Sequence, residues 1–370
     1  MHEQTKNIGI YLHVPFCDGK CPYCDFYSMR GSEERMKEYT KCIIDRLNYS
    51  GAELNRRADT LYFGGGTPNL LGAERIASIV EAARKNFGLK DAEITLEVNP
   101  AEDLSGFLGA VHEAGVNRLS IGMQSAQEEE LRLLGRRHTA QQARQAVTDA
   151  QKAGFSNISL DLMIATPGQS RENLAHSITF CAESGVQHIS AYLLKIEPHT
   201  AYDKMREQLT LPDDDEAGEL YLFACEELEK YGFYQYEISN FAKPGFESRH
   251  NLKYWHCEEY LGLGPAAHSF MNGERFYFDR SLRDFLNGAL PVKDGAGGDF
   301  EEYAMLALRL AEGLRESDCQ NRFGFPIPRE MFETAKKYEK INLIEMLPDG
   351  FRLTREGFLV SNSLIAELLC

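Results

Sequence analysis

No stretch of this chain approaches the roughly 18 consecutive apolar residues that a bilayer-crossing helix needs. Its start, Met1-His-Glu-Gln-Thr-Lys-Asn7, has no apolar core followed by a small-residue cleavage site, so a cytoplasmic protein is expected. Basic residues are scarce: 40 Lys and Arg against 56 Asp and Glu leave a net charge of -16 and no local basic patch. That balance argues against a nucleic-acid partner. The 9 cysteines are an odd number in a chain without an export signal, so structural disulfides are not expected. A second Cys-x2-Cys or a His pair that would complete a zinc site is also missing. What remains is 370 residues, 43% apolar and 26% charged, enough for one large α/β barrel plus a small domain.

The cysteines that stand apart lie in Tyr11-Leu-His-Val-Pro-Phe-Cys17-Asp-Gly-Lys-Cys21-Pro-Tyr-Cys24-Asp-Phe26. Thiolates spaced this closely, on a loop after an apolar strand, can converge on one metal centre. A set of three suits a [4Fe-4S] cluster held by Cys17, Cys21 and Cys24, with its fourth iron left for another ligand. Cys42, Cys181, Cys225, Cys319 and Cys370 read as ordinary thiols.

Strand and helix signals alternate along the first half. Residues 8–14 form a β-branched and aromatic run that stops at Pro15, and a helix is predicted from about Glu33 to Asn48. Thr60-Leu-Tyr-Phe63 is a second strand, broken by Gly64-Gly65-Gly66-Thr67-Pro68. Ile76, Ile79, Val80, Ala83 and Phe87 then recur at helical spacing before Gly88. Glu93–Val98 is a third strand. Three similar segments follow, Ala114-Gly-Val-Asn-Arg-Leu-Ser120, Ala153-Gly-Phe-Ser-Asn-Ile-Ser159 and Ser184-Gly-Val-Gln-His-Ile-Ser190. Each reads as a helix end, a glycine cap and the start of a buried strand. Six βα units with right-handed crossovers predict an α/β fold, a partial (β/α)6 barrel of the TIM type spanning residues 1–232. Working residues then belong at the carboxyl ends of the strands: Cys17, Gly64 to Thr67, Glu97 and Asn99, Gln124, Asp161 and Ala191. Residues 233–293 read as an irregular, aromatic-rich segment completing the barrel side. Asp294-Gly-Ala-Gly-Gly-Asp299 looks like a linker. Residues 294–370 are expected to form a small helical, winged-helix-like domain used for packing or partner contact.

Cys-x3-Cys-x2-Cys followed by an aromatic resembles the radical S-adenosylmethionine (SAM) enzymes. In these the open iron is chelated by the amino and carboxylate groups of SAM, and an electron from a donor, passed through the cluster, cleaves SAM to a 5′-deoxyadenosyl radical. The Tyr-x-His-x-Pro-Phe-Cys prefix is similar to that of the oxygen-independent coproporphyrinogen III oxidase branch. The resemblance implies the same partial barrel and assigns Tyr11, Tyr23, Gly65, Gly66, Thr67, Glu97, Gln124, Arg136, Asp161 and Ala191 to SAM-contacting positions, some of which serve a second SAM in the oxidase. The residues themselves leave alternatives. Glu97 and Asp161 can accept ribose hydroxyls, and Arg136 can fork a carboxylate or face water. Gln124 can reach ligand or satisfy barrel backbone. The glycine triplet can admit a ligand or simply turn the chain.

Two features depart from the oxidase: Phe26 stands where it carries a further Cys, and only ten residues precede Tyr11. Both are similar to a sister group of haem chaperones, as is His250-Asn251-Leu-Lys-Tyr254-Trp255. That resemblance implies haem binding, with His250 as first candidate for the iron ligand, Tyr254 and Trp255 beside it, and His256, Cys257 and His268 as rivals. The plainer reading is that His250-Asn251 closes a turn and Trp255 fills the open side of the barrel. The function expected is a chaperone that uses a [4Fe-4S] cluster, SAM and haem and passes haem to acceptor proteins, membrane-bound respiratory enzymes among them, and that forms a homodimer. Oxidative decarboxylation of coproporphyrinogen III, or another radical modification of a tetrapyrrole, is the alternative.

Overall fold

The computed structural model describes residues 7–100 and 104–370. The amino-terminal residues 1–6, on which the absence of a cleavable leader partly rested, lie outside the described residues. The first half alternates as predicted: β1 (Ile8–Val14), α1 (Glu33–Leu54), β2 (Ala58–Gly65), α2 (Ala73–Phe87), β3 (Glu93–Val98), α3 (Ser105–Glu113), β4 (Arg118–Gln124), α4 (Glu128–Leu133), α5 (Ala140–Lys152), β5 (Ile158–Ile164), α6 (Arg171–Glu183) and β6 (His188–Leu193). These six strands lie side by side in chain order, all parallel. The glycines after α3, α5 and α6, namely Gly115, Gly154 and Gly185, take φ of 107°, 103° and 77°. A side chain disfavours that region, and this is why the motif recurs with glycine.

Helix α1 runs to Leu54, past the expected end at Asn48. Nothing from Tyr49 to Glu53 breaks it, and the stop falls to Asn55, in the left-handed region at φ 45°.

After α7 (Ala201–Lys204) and α8 (Asp214–Lys230), the segment expected to be irregular holds β7 (Tyr234–Glu237), β8 (Asn240–Ala242), α9 (Arg249–Trp255), β9 (Tyr260–Leu263), β10 (His268–Met271), β11 (Glu274–Tyr277) and α10 (Leu282–Leu286). These strands are short, and several alternate weakly, so local pattern does not reveal them. They extend the sheet at both ends to the order β12-β11-β10-β9-β1-β2-β3-β4-β5-β6-β8-β7, where β12 is Val292–Ala296. The glycine-rich stretch read as a linker is therefore partly strand. Pairing with β11 asks only for backbone groups, which glycine supplies as well as any residue. Among the described residues the two ends of the sheet do not pair, so the barrel stays open.

The C-terminal elements are α11 (Phe300–Ala307), β13 (Leu314–Arg315), α12 (Glu316–Phe323), α13 (Arg329–Glu339), β14 (Ile344–Leu347), β15 (Gly350–Leu353), α14 (Arg355–Leu359) and α15 (Ser361–Leu369). Helix, strand, two helices and an antiparallel hairpin, with sheet order β13-β15-β14, give the winged-helix-like arrangement expected.

Parallel strands buried on both faces are usually apolar throughout. Here one face is apolar and the other is not. On β1, Ile8, Ile10, Leu12 and Val14 pack against the helices, while Gly9, Tyr11 and His13 face inward. Arg118, Ser120, Gly122 and Gln124 alternate in the same way on β4, and Ser159, Asp161 and Met163 on β5. The barrel interior is polar, as a binding chamber requires.

Candidate functional site

The loop after β1 is clamped at several backbone points. Cys17 N–H donates to Met29 O (3.0 Å), Met29 N–H to Pro15 O (2.8 Å), and Tyr202 N–H to Pro22 O (2.9 Å). Its free thiols are partly exposed. The Thr67 hydroxyl donates to Cys17 Sγ (3.4 Å), and Arg136 Nη1 lies 3.7 Å from Cys21 Sγ. Among the described residues, no three Cys, His, Asp or Glu side chains close around a single ion.

A cavity of about 530 Å³ opens in front of this loop. Cys17, Cys21, Tyr23, Cys24, Gly65, Gly66, Thr67, Glu97, Gln124, Arg136 and Asp161, all predicted from sequence, line it. The glycine loop lies against the cysteine loop through Gly66 N–H to Val14 O (2.8 Å) and Thr67 N–H to Phe16 O (2.6 Å). A Cβ on Gly66 would come 2.5 Å from Phe16 O, so only glycine permits this approach. Glu97 accepts from the Tyr62 hydroxyl (2.9 Å) and Gly65 N–H (3.1 Å). Burial, then the charge of Asp161, pushes its carboxyl up to about 7. Asp161 accepts from the Ser120 hydroxyl (2.9 Å), and burial raises its pKa as well. Arg136 is fixed by Gly122 O (2.6 Å) and Asn99 Oδ1 (2.9 Å), while its Nε is buried without a partner. Gln124 sits at φ 73° beside a register shift between β4 and β5, a strained turn that re-aims its side chain.

Tyr11 and Ala191 do not reach this cavity. Tyr11 faces inward, but its hydroxyl is bonded to His13 Nδ1 (3.2 Å) and its ring lines a second cavity. Ala191 is fully buried, and by strand alternation its neighbours Ser190 and Tyr192 point in instead.

His250 is displaced further from expectation. Helix α9 packs across the amino-terminal ends of β1 to β3, opposite the cysteine loop, with the Glu93 carboxylate accepting from the N–H groups of Arg249 (3.1 Å) and His250 (3.0 Å). His250 Nδ1 is bonded to Thr60 Oγ1 (2.7 Å) and Nε2 to the Tyr254 hydroxyl (2.8 Å), and the ring stacks on Tyr62 at 5.1 Å. Burial, then the charges of Lys253 and Arg118, lowers its pKa to about 3, so the ring is neutral. Neither nitrogen is free to ligate iron in this arrangement. Trp255 is half-buried and borders neither cavity, whereas Asn251 lines the first and Tyr254 the second. Of the rivals, His256 is bonded to Glu312 Oε1 (2.6 Å) and Cys257 is buried.

Reasoning from sequence missed Arg118, Tyr62, Ser120, Ser190 and Tyr192, all on the cavity wall. The signal was there: polar or aromatic residues at every second position of a parallel strand mark the inward face.

The Radical SAM superfamily profile matches residues 11–181, and the HemN C-terminal domain profile matches residues 299–360. A heme chaperone HemW of Mycobacterium tuberculosis is 34% identical over 98% of this chain and 94% of its own length. The heme chaperone HemW of Bacillus subtilis is 31% identical over 97% and 98%. This chain belongs to the HemW family. The solved coproporphyrinogen III oxidase (HemN) of Escherichia coli shares the fold, with a TM-score of 0.84 over 98% of this chain and 90% of its own, at 20% identity. As a radical SAM family, HemW implies a [4Fe-4S] cluster and SAM. The residues present fit both. Three accessible thiols face a chamber that offers Arg136 to a carboxylate and Glu97 and Asp161 to hydroxyl or ammonium groups. Among the described residues, no helix is long and apolar enough to cross a membrane.

Proposed function

We propose that this protein is a haem chaperone, which binds a [4Fe-4S] cluster through Cys17, Cys21 and Cys24, holds SAM in the adjoining cavity, takes up haem and hands it to acceptor proteins, membrane-bound respiratory enzymes included. The observation that carries this reading is similarity along the whole chain to heme chaperones, 34% identity against 20% to the oxidase of the same fold. Bound in the chamber, the cluster and SAM supply one-electron chemistry. The chain's own part is to orient. Arg136 and Thr67 brace the cysteine loop, the Gly66 approach brings the loop after β2 against it, and Glu97 and Asp161 offer acceptors on the chamber wall.

The test is anaerobic reconstitution, followed by haem titration and, in parallel, incubation with SAM, dithionite and coproporphyrinogen. The expected result is iron bound through the three cysteines, stoichiometric haem uptake and no conversion of coproporphyrinogen. Decarboxylation of coproporphyrinogen, or zinc in place of iron, would sink the proposal.

A further inference from the structure

Beside the first cavity lies another, of about 740 Å³, between β1, the added strands β9 to β11 and the end of the cysteine loop. Its walls are aromatic: Tyr27, Tyr254, Tyr260, Tyr277 and Phe278 surround it. Few soluble ligands call for so many rings at once, and a large flat conjugated one does. The size falls within the ordinary range of ligand pockets.

Three histidines stand close to this space, and the geometry separates them. His13 lines it, but Nε2 bonds to Tyr27 O (2.8 Å) and Nδ1 to the Tyr11 hydroxyl (3.2 Å). His250 is occupied at both nitrogens, as described. His268 lines it too, is exposed, and has no hydrogen-bonding partner among the described residues. Its ring packs on Tyr277 at 5.2 Å with 27° between the planes, and both ring nitrogens are left open. At the rim, Arg280 holds Asp25 through Nη2 alone (2.9 Å), which leaves other guanidinium donors for an anion.

From these features we infer that the aromatic cavity takes an iron porphyrin, with His268 as an axial ligand of the iron and Arg280 as partner to a propionate. This rests on the haem chaperone reading and names its cargo site. Phe26 and Asp25 border both cavities, so the bound ring lies directly across the Phe26 side chain from the SAM chamber. Phe26 is 64% exposed.

The experiment is haem titration of the cluster-loaded protein, with optical and electron paramagnetic resonance spectra of wild type, His268→Ala, His250→Ala and Arg280→Ala. His268→Ala is expected to lose the histidine-ligated signature, to bind haem about tenfold or more weakly, and to regain the signature on addition of imidazole. His250→Ala should keep the signature. Wild type should prefer haem to its dimethyl ester, and Arg280→Ala should not. A His268→Ala spectrum identical to wild type overturns this assignment and leaves the chaperone reading standing. A wild-type protein that takes up no haem overturns both. His268 is exposed and unbonded, so its replacement leaves the fold in place, and a thermal melt of each variant confirms this.

Discussion

Thr60 and His250 are 190 residues apart in sequence and bonded at 2.7 Å, Oγ1 to Nδ1, in the floor of the barrel. With the Tyr254 hydroxyl on the other ring nitrogen, this places the imidazole in the architecture of the protein. His250→Ala would strand two buried hydroxyls and leave a cavity beside Tyr62. It is expected to cost about 2–4 kcal/mol of stability, read from denaturant unfolding. Full stability with altered haem spectra would reverse the assignment.

Glu97 gives the unliganded protein a pH dependence. The folded carboxyl binds its proton more tightly than an unfolded one, since burial and Asp161 raise it from 4.5 to about 7. Its contribution is therefore fully present below about pH 4.5 and is lost as pH rises through about 7. Asp161 is shifted in the same direction. A shift of this size corresponds to ~3 kcal/mol, and water entering the chamber reduces it, so Glu97→Gln is expected to be more stable than wild type by about 1–2 kcal/mol near pH 8 and equal near pH 4.5. Melting curves across that range decide it. A constant difference at all pH values would rule the carboxyl out as the cause.

Gly66→Ala tests the approach of the two loops. The added methyl meets two backbone carbonyls, Phe16 O at 2.5 Å and Val14 O at 2.8 Å, and neither can swing aside as a side chain would. The variant is expected to lose about 1–3 kcal/mol of stability and to bind SAM more weakly than wild type, measured by calorimetry on the reconstituted protein. Unchanged SAM affinity would show that this contact does not shape the chamber.

What could be read from sequence follows the range of the forces involved. The six parallel strands were legible because glycine caps such as Gly115, Gly154 and Gly185 have one local solution. The cysteine loop was legible from its spacing, whereas the glycine triplet took its ligand role from the resemblance. Tyr11 and Ala191 were assigned by resemblance; strand alternation turns the Ala191 side chain away from the chamber, while Tyr11 faces inward but toward the second cavity. The strands after residue 233 depend on distant edges they join, and β12 on backbone pairing that no side chain announces. His250 could not be resolved from sequence, because its partners Thr60 and Glu93 belong to strands laid down far earlier.

The long open sheet carries a hazard that its two margins answer differently. Strand β12 is exposed along its whole length and carries Lys293, Asp294 and a glycine at φ 108°, features that deter a second chain from adding on. Strand β7 is instead hemmed by the C-terminal segment, where Ala311 N–H donates to Tyr236 O (2.9 Å) and Ile238 N–H to Arg309 O (3.0 Å). The winged-helix-like region thus acts as a clasp over one margin. Without it, a row of amide and carbonyl groups would be left open to strand-by-strand polymerisation.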